Sequence, residues 1–184
     1  RAAVFASGTG SNFLALINRV DIGCEIVSLV CDRPDATVID KAKAFGIDTF
    51  VFNPKLYNEK SAYESEIKRY LLTARIEWLF LAGYMRLIGP TLLNEFEGKI
   101  LNIHPSLLPA FPGKDAIGQA LDAGVNETGV TVHFVDEGMD TGPIIAQERI
   151  LINKDDTRAS LQERIQQVEH RLYPEVIKQL LMDS

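Results

Sequence analysis

The feature of this sequence that most restricts its fold is an alternation of short apolar runs with longer amphipathic segments through its first hundred residues. The runs have the length and β-branched content of buried strands, and the segments between them have the 3.6-residue period of helices. This order predicts a parallel sheet with crossover helices. We predict strands at 2–6, 26–31, 49–52, 78–82 and 100–103, and helices at 12–20, 37–45 and 61–74.

The last third of the chain has a different pattern. Two further strands are predicted at 129–135 and 143–152, separated by a turn rich in Asp and Gly, and this spacing is typical of an antiparallel addition. A closing helix is predicted at 160–181 from apolar residues spaced by three and four. The chain is therefore predicted to be a single α/β domain over 1–184, with a mixed, mostly parallel, Rossmann-like sheet and helices on both faces.

Composition excludes several classes of protein. A net charge of −6 over 184 residues disfavours a nucleic-acid partner. Cys24 and Cys31 lack the grouping of a zinc site and are too few for a disulfide framework. No apolar run approaches the roughly 20 residues that cross a bilayer. We expect a cytoplasmic protein with small-molecule partners, no metal and no membrane contact, as a monomer or a homodimer.

The first chemically informative segment is Ser-Gly-Thr-Gly-Ser-Asn at 7–12, between the first strand and the first helix. Its glycines let backbone amides approach a ligand, and a phosphate suits amides at a helix start. A tight turn capped by Ser11 or Asn12 is an equally good interpretation. Phe13 occupies the third glycine position of a dinucleotide fingerprint and no Gly-Lys-Ser/Thr follows, so a mononucleotide-type phosphate is the better guest.

The second segment is the strand that ends in Asn102 and His104. Strand periodicity puts both side chains on one face, at the carboxyl end where α/β sheets bind ligands. An uncharged donor beside a switchable one suits an oxygen that becomes negative in a transition state. The structural alternative is that both residues only cap the end of the strand. Three prolines stiffen the following loop, where we expect Leu108–Pro109 to be cis.

The third segment is the turn at 136–143. Asp136 and Glu137 are interpreted as solvated turn formers. Asp140 differs because it precedes a Thr-Gly-Pro strand entry that can aim its carboxylate back into the end of the sheet, within reach of His104. His133 is either a structural histidine or a residue that supports the site from behind, and the sequence leaves both open.

With these motifs in order, the chain resembles the phosphoribosylglycinamide formyltransferases, within the 10-formyltetrahydrofolate-dependent formyltransferase family, over essentially its whole length. The Asn-Ile-His-Pro-Ser-Leu-Leu-Pro run and the later Asp-x-Gly-Pro are typical of formyl-folate enzymes in general, and the glycine loop selects this branch. The resemblance implies transfer of the formyl group of 10-formyltetrahydrofolate, as co-substrate, to the amine of glycinamide ribonucleotide in purine biosynthesis.

The resemblance also implies roles for residues. It divides the chain into a nucleotide-phosphate half, 1–100, and a folate and catalytic half, 101–184. Lys60 departs from the arginine found in part of the family, and segment 113–118 departs from a histidine-containing version, so that segment receives no chemical role. The implied nucleotide residues are Gly10, Ser11, Asn12, Gln166, Gln167, Val168 and Glu169; the implied folate residues are Lys60, Met85, Arg86, Leu87, Ile88, Asn102, Asp136, Glu137, Gly138, Met139 and Asp140.

The implied mechanism needs no protein nucleophile, because the amine can attack the formyl carbon directly and pass through a tetrahedral intermediate. Asn102 and protonated His104 are assigned to the oxyanion and Asp140 to proton transfer, with His133 behind them. Three competing functions are weighed: a formyl-folate hydrolase, a formyltransferase for aminoacyl-tRNA or an amino sugar, and a non-catalytic nucleotide-binding module. The module leaves Asn102, His104 and Asp140 unexplained.

Overall fold

The computed structural model describes residues 1–183, and its elements alternate as the sequence pattern predicts. The strands are β1 (Ala2–Ala6), β2 (Ile26–Cys31), β3 (Asp48–Val51), β4 (Trp78–Leu81), β5 (Ile100–His104), β6 (Glu127–Phe134) and β7 (Ile144–Leu151). The helices are α1 (Ser11–Ile17), α2 (Thr37–Ala44), α3 (Lys60–Thr73), α4 (Pro90–Glu95), α5 (Ala116–Ala123) and α6 (Arg158–Met182).

All the strands belong to one sheet in the order β3-β2-β1-β4-β5-β6-β7. Strands β1 to β5 pair in parallel, whereas β6 runs antiparallel to β5 and β7 antiparallel to β6. The prediction of a mixed, mostly parallel sheet is confirmed. The order reverses between β1 and β4, and such a switch point opens a crevice at the carboxyl ends of the two strands.

Helices cover both faces of the sheet, as predicted. Alternate residues of β1 show this directly: Ala2, Val4 and Ala6 belong to a core that includes residues of α1, α2 and α6, whereas Ala3 and Phe5 belong to a second core with α3 and α4. All five side chains are fully buried. A strand buried on both sides explains why β1 is uniformly apolar rather than alternating.

The structure differs from the prediction mainly in short helices. Helix α1 ends at Ile17 rather than residue 20, and Val20 is fully exposed, so its apolar side chain was misleading there. Helices α4 and α5 and a 3₁₀ turn at Pro54–Leu56 were not predicted. The buried positions of α5 are Ala116, Gly118 and Ala120, whose small side chains give little apolar signal.

Helix α6 closes the fold and fixes the strands that carry the site. Thr157 and Ser160 form a reciprocal capping box at its start, two residues before the predicted beginning. The fully buried Tyr173 hydroxyl lies 2.9 Å from the carbonyl oxygen of Leu81 and 3.2 Å from that of Leu101. One side chain of α6 therefore ties Leu81, at the end of β4, to Leu101, near the start of β5. No helix within residues 1–183 combines the length and apolarity needed to cross a bilayer.

Candidate active site

Two adjoining cavities open at the carboxyl ends of β1, β4 and β5. The first has a volume of about 360 Å³ and lies at the switch point, where the Ser7 amide donates to the Gly83 carbonyl oxygen at 3.2 Å. Its lining comes from both ends of the chain: the glycine loop 7–12, Arg33, Ala82, Gly83, Met85, Ile103, Pro105 and Ile117, and Gln162, Ile165, Gln166 and Glu169 of α6.

The glycine loop is held tightly against α2. Gly10 has a φ of 83°, and a Cβ placed there would lie 2.5 Å from Val38 Cγ2. The Val38 amide donates to the Gly8 carbonyl oxygen at 3.1 Å. Glycine is required at position 10 both by the backbone angle and by this close approach. Residues 10–12 of the loop line the first cavity.

The opposite side of the first cavity carries a buried carboxylate. Glu169 is 7% exposed, and its Oε1 accepts a hydrogen bond from Asn12 Nδ2 at 3.4 Å. Burial raises the pKa of Glu169 to about 7, and the Asn12 hydrogen bond opposes that rise only in part. Asn12 Oδ1 is also buried and has no hydrogen-bond partner within residues 1–183. This side of the cavity thus offers acceptors that a ligand with hydroxyl groups would satisfy.

The second cavity is larger, about 540 Å³, and is lined by residues of β4, β5 and β6 and of the segments that follow these strands. Six residues line both cavities and form the boundary along which the cavities adjoin, here called the wall. They are Gly83, Met85, Ile103, Pro105, Ile117 and Gln162. The rest of the lining of the second cavity comes from Leu81, the 84–88 segment, Asn102, His104, residues 113–116, His133, Val135, Asp136, residues 138–140 and Arg158.

His104 and Asp140 meet at the floor of the second cavity. His104 Nδ1 lies 3.6 Å from Asp140 Oδ2, and both side chains are largely buried. The other ring nitrogen, Nε2, lies 2.9 Å from the carbonyl oxygen of Phe111. Since a carbonyl only accepts, Nε2 carries a hydrogen. Both ring nitrogens thus lie near oxygen acceptors.

Asn102 is oriented by His133. Asn102 Nδ2 lies 3.4 Å from His133 Nε2, and His133 Nδ1 lies 2.8 Å from the carbonyl oxygen of Phe134. The carbonyl fixes the hydrogen on Nδ1, so Nε2 accepts from the Asn102 amide. Burial lowers the pKa of His133, which keeps the ring neutral and suited to this role. One amide hydrogen of Asn102 is left for a ligand.

Asp140 is placed by an unusual backbone conformation. Its φ is 56°, and its Oδ2 accepts a hydrogen bond from the Gly113 amide at 2.8 Å. Asp136 has a separate role in the same turn, where its Oδ1 accepts from the Gly138 amide at 3.0 Å and from Thr141 Oγ1 at 2.6 Å. The Leu108–Pro109 peptide bond is cis, which confirms that prediction.

Most of the residues named from the sequence line one of the two cavities. Gln167, Val168 and Glu137 are not among the lining residues, and Glu137 is exposed. Lys60 is also outside the lining; its ammonium donates to the Leu87 carbonyl oxygen at 2.6 Å and so lies behind the second cavity. Both cavities draw residues from both halves of the chain.

Sequence reasoning missed several lining residues. Arg33 is the basic side chain of the first cavity, and Gln162 borders both cavities. Lys114 and Asp115, in the segment without an assigned role, line the second cavity together with Arg158, whose guanidinium forms an ion pair with Asp115. The positive φ of Asp115, 54°, comes from the helix start that the sequence did not reveal. None of these residues belongs to a motif that would have marked it.

Comparison with known proteins identifies the family. A model of the formyl transferase family matches residues 1–177. The chain belongs to the formyl transferase family. This formyl transferase is 57% identical over 182 residues to a phosphoribosylglycinamide formyltransferase of Bacillus subtilis, covering 97% of this chain and 93% of that protein.

Solved structures agree with this assignment. A glycinamide ribonucleotide transformylase 1 from Geobacillus kaustophilus is 61% identical, covers 98% of each chain and has a TM-score of 0.96. A phosphoribosylglycinamide formyltransferase from Bacillus halodurans is 52% identical, with a TM-score of 0.97 over 98% of this chain and 95% of that one. This formyl transferase therefore shares the complete fold of enzymes that bear those names.

Proposed function

We propose that this chain transfers the formyl group of 10-formyltetrahydrofolate to the amino group of glycinamide ribonucleotide, a step of purine biosynthesis. The observation that carries the proposal is a pair of adjoining cavities that share lining residues, the second of which is also lined by Asn102, His104 and Asp140. Two substrates held in adjoining cavities can bring their reacting atoms together without a protein nucleophile. Identity to named phosphoribosylglycinamide formyltransferases supports the choice of substrates.

The first cavity suits the nucleotide. The amides of Gly10, Ser11 and Asn12 offer donors to a phosphate, and Arg33 adds a positive charge beside them. Glu169 and the unpartnered Asn12 Oδ1 accept hydrogen bonds from the ribose hydroxyls, and Gln166 borders the same space. Gln167 and Val168 act only through the position of α6. A ribose phosphate thus satisfies groups that the protein leaves without partners.

The second cavity suits the folate. Met85, Arg86, Leu87 and Ile88 form one side of it, and Asp136, Gly138 and Met139 another. A flat heterocycle is held between such walls by apolar contact and oriented by backbone groups. Lys60 supports the Leu87 carbonyl, and its contact with the anionic tail of folate stays a prediction. Glu137 lies on the exposed side of the turn.

In the proposed reaction, the amine nitrogen attacks the formyl carbon, and a C–N bond forms as the carbonyl oxygen becomes negative. Asn102 donates its free amide hydrogen to that oxygen, and the positively charged ring of His104 stabilises it. Direct donation from His104 requires Nε2 to leave the Phe111 carbonyl oxygen. His133 keeps the Asn102 amide aimed at the reacting centre.

Asp140 completes the proton balance. The attacking nitrogen becomes positive, and its proton passes to the Asp140 carboxylate or to water beside it, then to the folate nitrogen as the second C–N bond breaks. The Gly113 amide and the positive φ of Asp140 keep this carboxylate facing the centre. No net proton is taken up, which matches a transfer between two amines.

We also propose that the protein is cytoplasmic and is a monomer or a homodimer. Its proposed partners are small molecules and not nucleic acid. Both cysteines are free thiols, which suits a reducing compartment. Within residues 1–183, no cluster of His, Cys, Asp and Glu is arranged to hold a metal ion. The proposed catalytic groups are the side chains of Asn102, His104 and Asp140.

An absorbance assay with 10-formyl-5,8-dideazafolate tests the function. We expect turnover only when glycinamide ribonucleotide is present, with one formylated nucleotide formed for each folate consumed. Turnover without the nucleotide and with release of formate would replace the proposal by a hydrolase. Thermal melting gives an independent check: both ligands together should stabilise the protein, whereas NAD should not.

A further inference from the structure

We propose that Asp32, acting through Ser7 and Arg86, is a positioning residue that sets the wall between the two cavities. The inference deepens the proposed formyl transfer and rests on it. Asp32 follows β2, so it stands at the same edge of the sheet as both cavities without lining either of them. Nothing in the sequence motifs marked it.

Asp32 is a buried carboxylate that accepts hydrogen bonds from two side chains. Its side chain is 1% exposed; Oδ1 accepts a hydrogen bond from Ser7 Oγ at 2.5 Å, and Oδ2 accepts one from Arg86 Nε at 3.0 Å. A carboxylate removed from water is tolerated only when hydrogen bonds and opposite charge compensate it. The two contacts therefore hold Ser7 and Arg86 in fixed positions relative to each other.

Ser7 carries the link into the wall. A hydroxyl has one hydrogen, and Ser7 gives it to Asp32, so the Ser7 oxygen presents a lone pair to the Met85 amide at 2.9 Å. The Ser7 amide also donates to the Gly83 carbonyl oxygen at 3.2 Å. Ser7 thus binds the wall at two points, and it is also the first residue of the glycine loop.

The far end of the same segment is anchored independently. Lys60 donates to the Leu87 carbonyl oxygen at 2.6 Å, and Glu64, one helical turn later, accepts from the Gly89 amide at 2.8 Å. The 83–89 segment is therefore fixed at one end by α3 and at the other by Ser7 and Asp32. Only the Asp32 end is continuous with the nucleotide loop.

Loss of the Asp32 charge should release the wall and leave the phosphate site in place. An asparagine at position 32 has one acceptor oxygen in place of two, so it cannot accept from Ser7 and Arg86 through separate oxygens, and it removes the charge that strengthens both hydrogen bonds. Met85 lines both cavities and Arg86 lines only the folate cavity, whereas the donors proposed for the phosphate are the amides of residues 10–12, further along the loop and packed against Val38. Folate binding should therefore suffer more than nucleotide binding.

The test compares Asp32→Asn with Asp35→Asn, which removes an exposed carboxylate from the same loop. Calorimetric titration with 10-formyl-5,8-dideazafolate should show about tenfold weaker binding in Asp32→Asn, the loss of roughly one charge-assisted hydrogen bond. Binding of glycinamide ribonucleotide should change by less than about twofold. Asp35→Asn should match the wild type for both ligands.

Ser7→Ala leaves the Asp32–Arg86 ion pair in place, so it tests the Ser7 link without leaving the partly exposed Arg86 charge unpaired, and it should weaken folate binding in the same way. Because both residues act through one link, the double variant should lose no more folate affinity than the worse single variant. Folate affinity in Asp32→Asn equal to that in Asp35→Asn, equal losses for both ligands, or additive losses in the double variant would each overturn the inference. A wild-type protein that binds neither ligand would instead remove the proposed function itself.

Discussion

Asn12 and Glu169 meet across the first cavity although 157 positions separate them, with Asn12 Nδ2 donating to Glu169 Oε1 at 3.4 Å. The contact joins the glycine loop to the last helix. This hydrogen bond also opposes the effect of burial on the Glu169 carboxyl, but only in part, because the pKa of Glu169 is still raised to about 7. A residue that titrates near neutrality therefore lies where the ribose is proposed to bind.

Nucleotide affinity should fall as the pH is lowered through about 7. Ribose hydroxyls donate hydrogen bonds and therefore favour the ionised form of Glu169, so binding lowers the pKa of Glu169. At a pH below the pKa of the free protein, Glu169 must lose its proton when the nucleotide binds, and this weakens binding. Calorimetry with glycinamide ribonucleotide from acidic to alkaline pH checks this. Glu169→Gln should remove that part of the dependence due to the carboxyl, leaving the part due to the ligand phosphate.

Glu163→Gln is the control for this titration, because Glu163 is exposed on the same helix. Its profile should follow the wild type. Identical profiles for wild type and Glu169→Gln would mean that Glu169 does not meet the ribose.

Asp140→Asn should lower kcat by about 10²-fold while leaving the affinities for both ligands nearly unchanged, since the carboxylate acts on a proton that moves only during reaction. The asparagine retains an oxygen that can accept from the Gly113 amide, so the turn should persist. Steady-state kinetics and ligand titrations separate the two effects. Asp155→Asn, in an exposed loop, should keep full activity; full activity in Asp140→Asn would reduce Asp140 to a turn residue.

Gly10→Ala should weaken nucleotide binding by about tenfold or more and affect folate binding much less. The new Cβ would meet Val38 Cγ2 at 2.5 Å, and the φ of 83° is unfavourable for alanine. Gly46→Ala is a control for the backbone angle, because its φ is 69°, no atom lies within 4 Å of its Cβ position and it lines neither cavity. Titrations that show the same loss for both ligands, or the same loss in both variants, would contradict a phosphate role for the loop.

Arg33→Met should weaken nucleotide binding several-fold, about 1 kcal/mol, with a smaller dependence on ionic strength than in the wild type. Methionine keeps the apolar stem and removes the charge that Arg33 brings to the first cavity. Titration at low and high salt measures both effects. Arg149→Met, on an exposed position of β7, should behave as the wild type, and an unchanged salt dependence in Arg33→Met would exclude a contact with the phosphate.

The sheet was predictable because its strands carry their signal locally. β1 and β2 are short, apolar and bounded by turn residues, and the alternation in β5 was enough to put Asn102 and His104 in one cavity. Helix α5 carried no such signal, since it buries Ala116, Gly118 and Ala120. Small side chains pack closely without producing an amphipathic pattern.

The site was predictable only where a motif marked it. Arg33 and Gln162 line the first cavity, and Asp32 contacts Ser7, because segments that are distant in sequence lie together in the fold. Neither the neighbours of these residues in sequence nor their periodicity indicates this. The hydrogen bond of His104 to Phe111 likewise depends on how the loop after β5 folds back. Sequence reasoning supplied the chemical groups but not their partners.

The first cavity is assembled from residues near the start of the chain and from α6, near its end. A chain that leaves the ribosome from its amino end can pair β1, β2 and β4 early, because those strands lie side by side and are synthesised first. The nucleotide cannot assist that folding, because Glu169 and its neighbours have yet to be made. Ligand binding thus stabilises only the finished protein. A nascent chain paused before α6 has to stay folded through its own strands and helices, without help from the nucleotide.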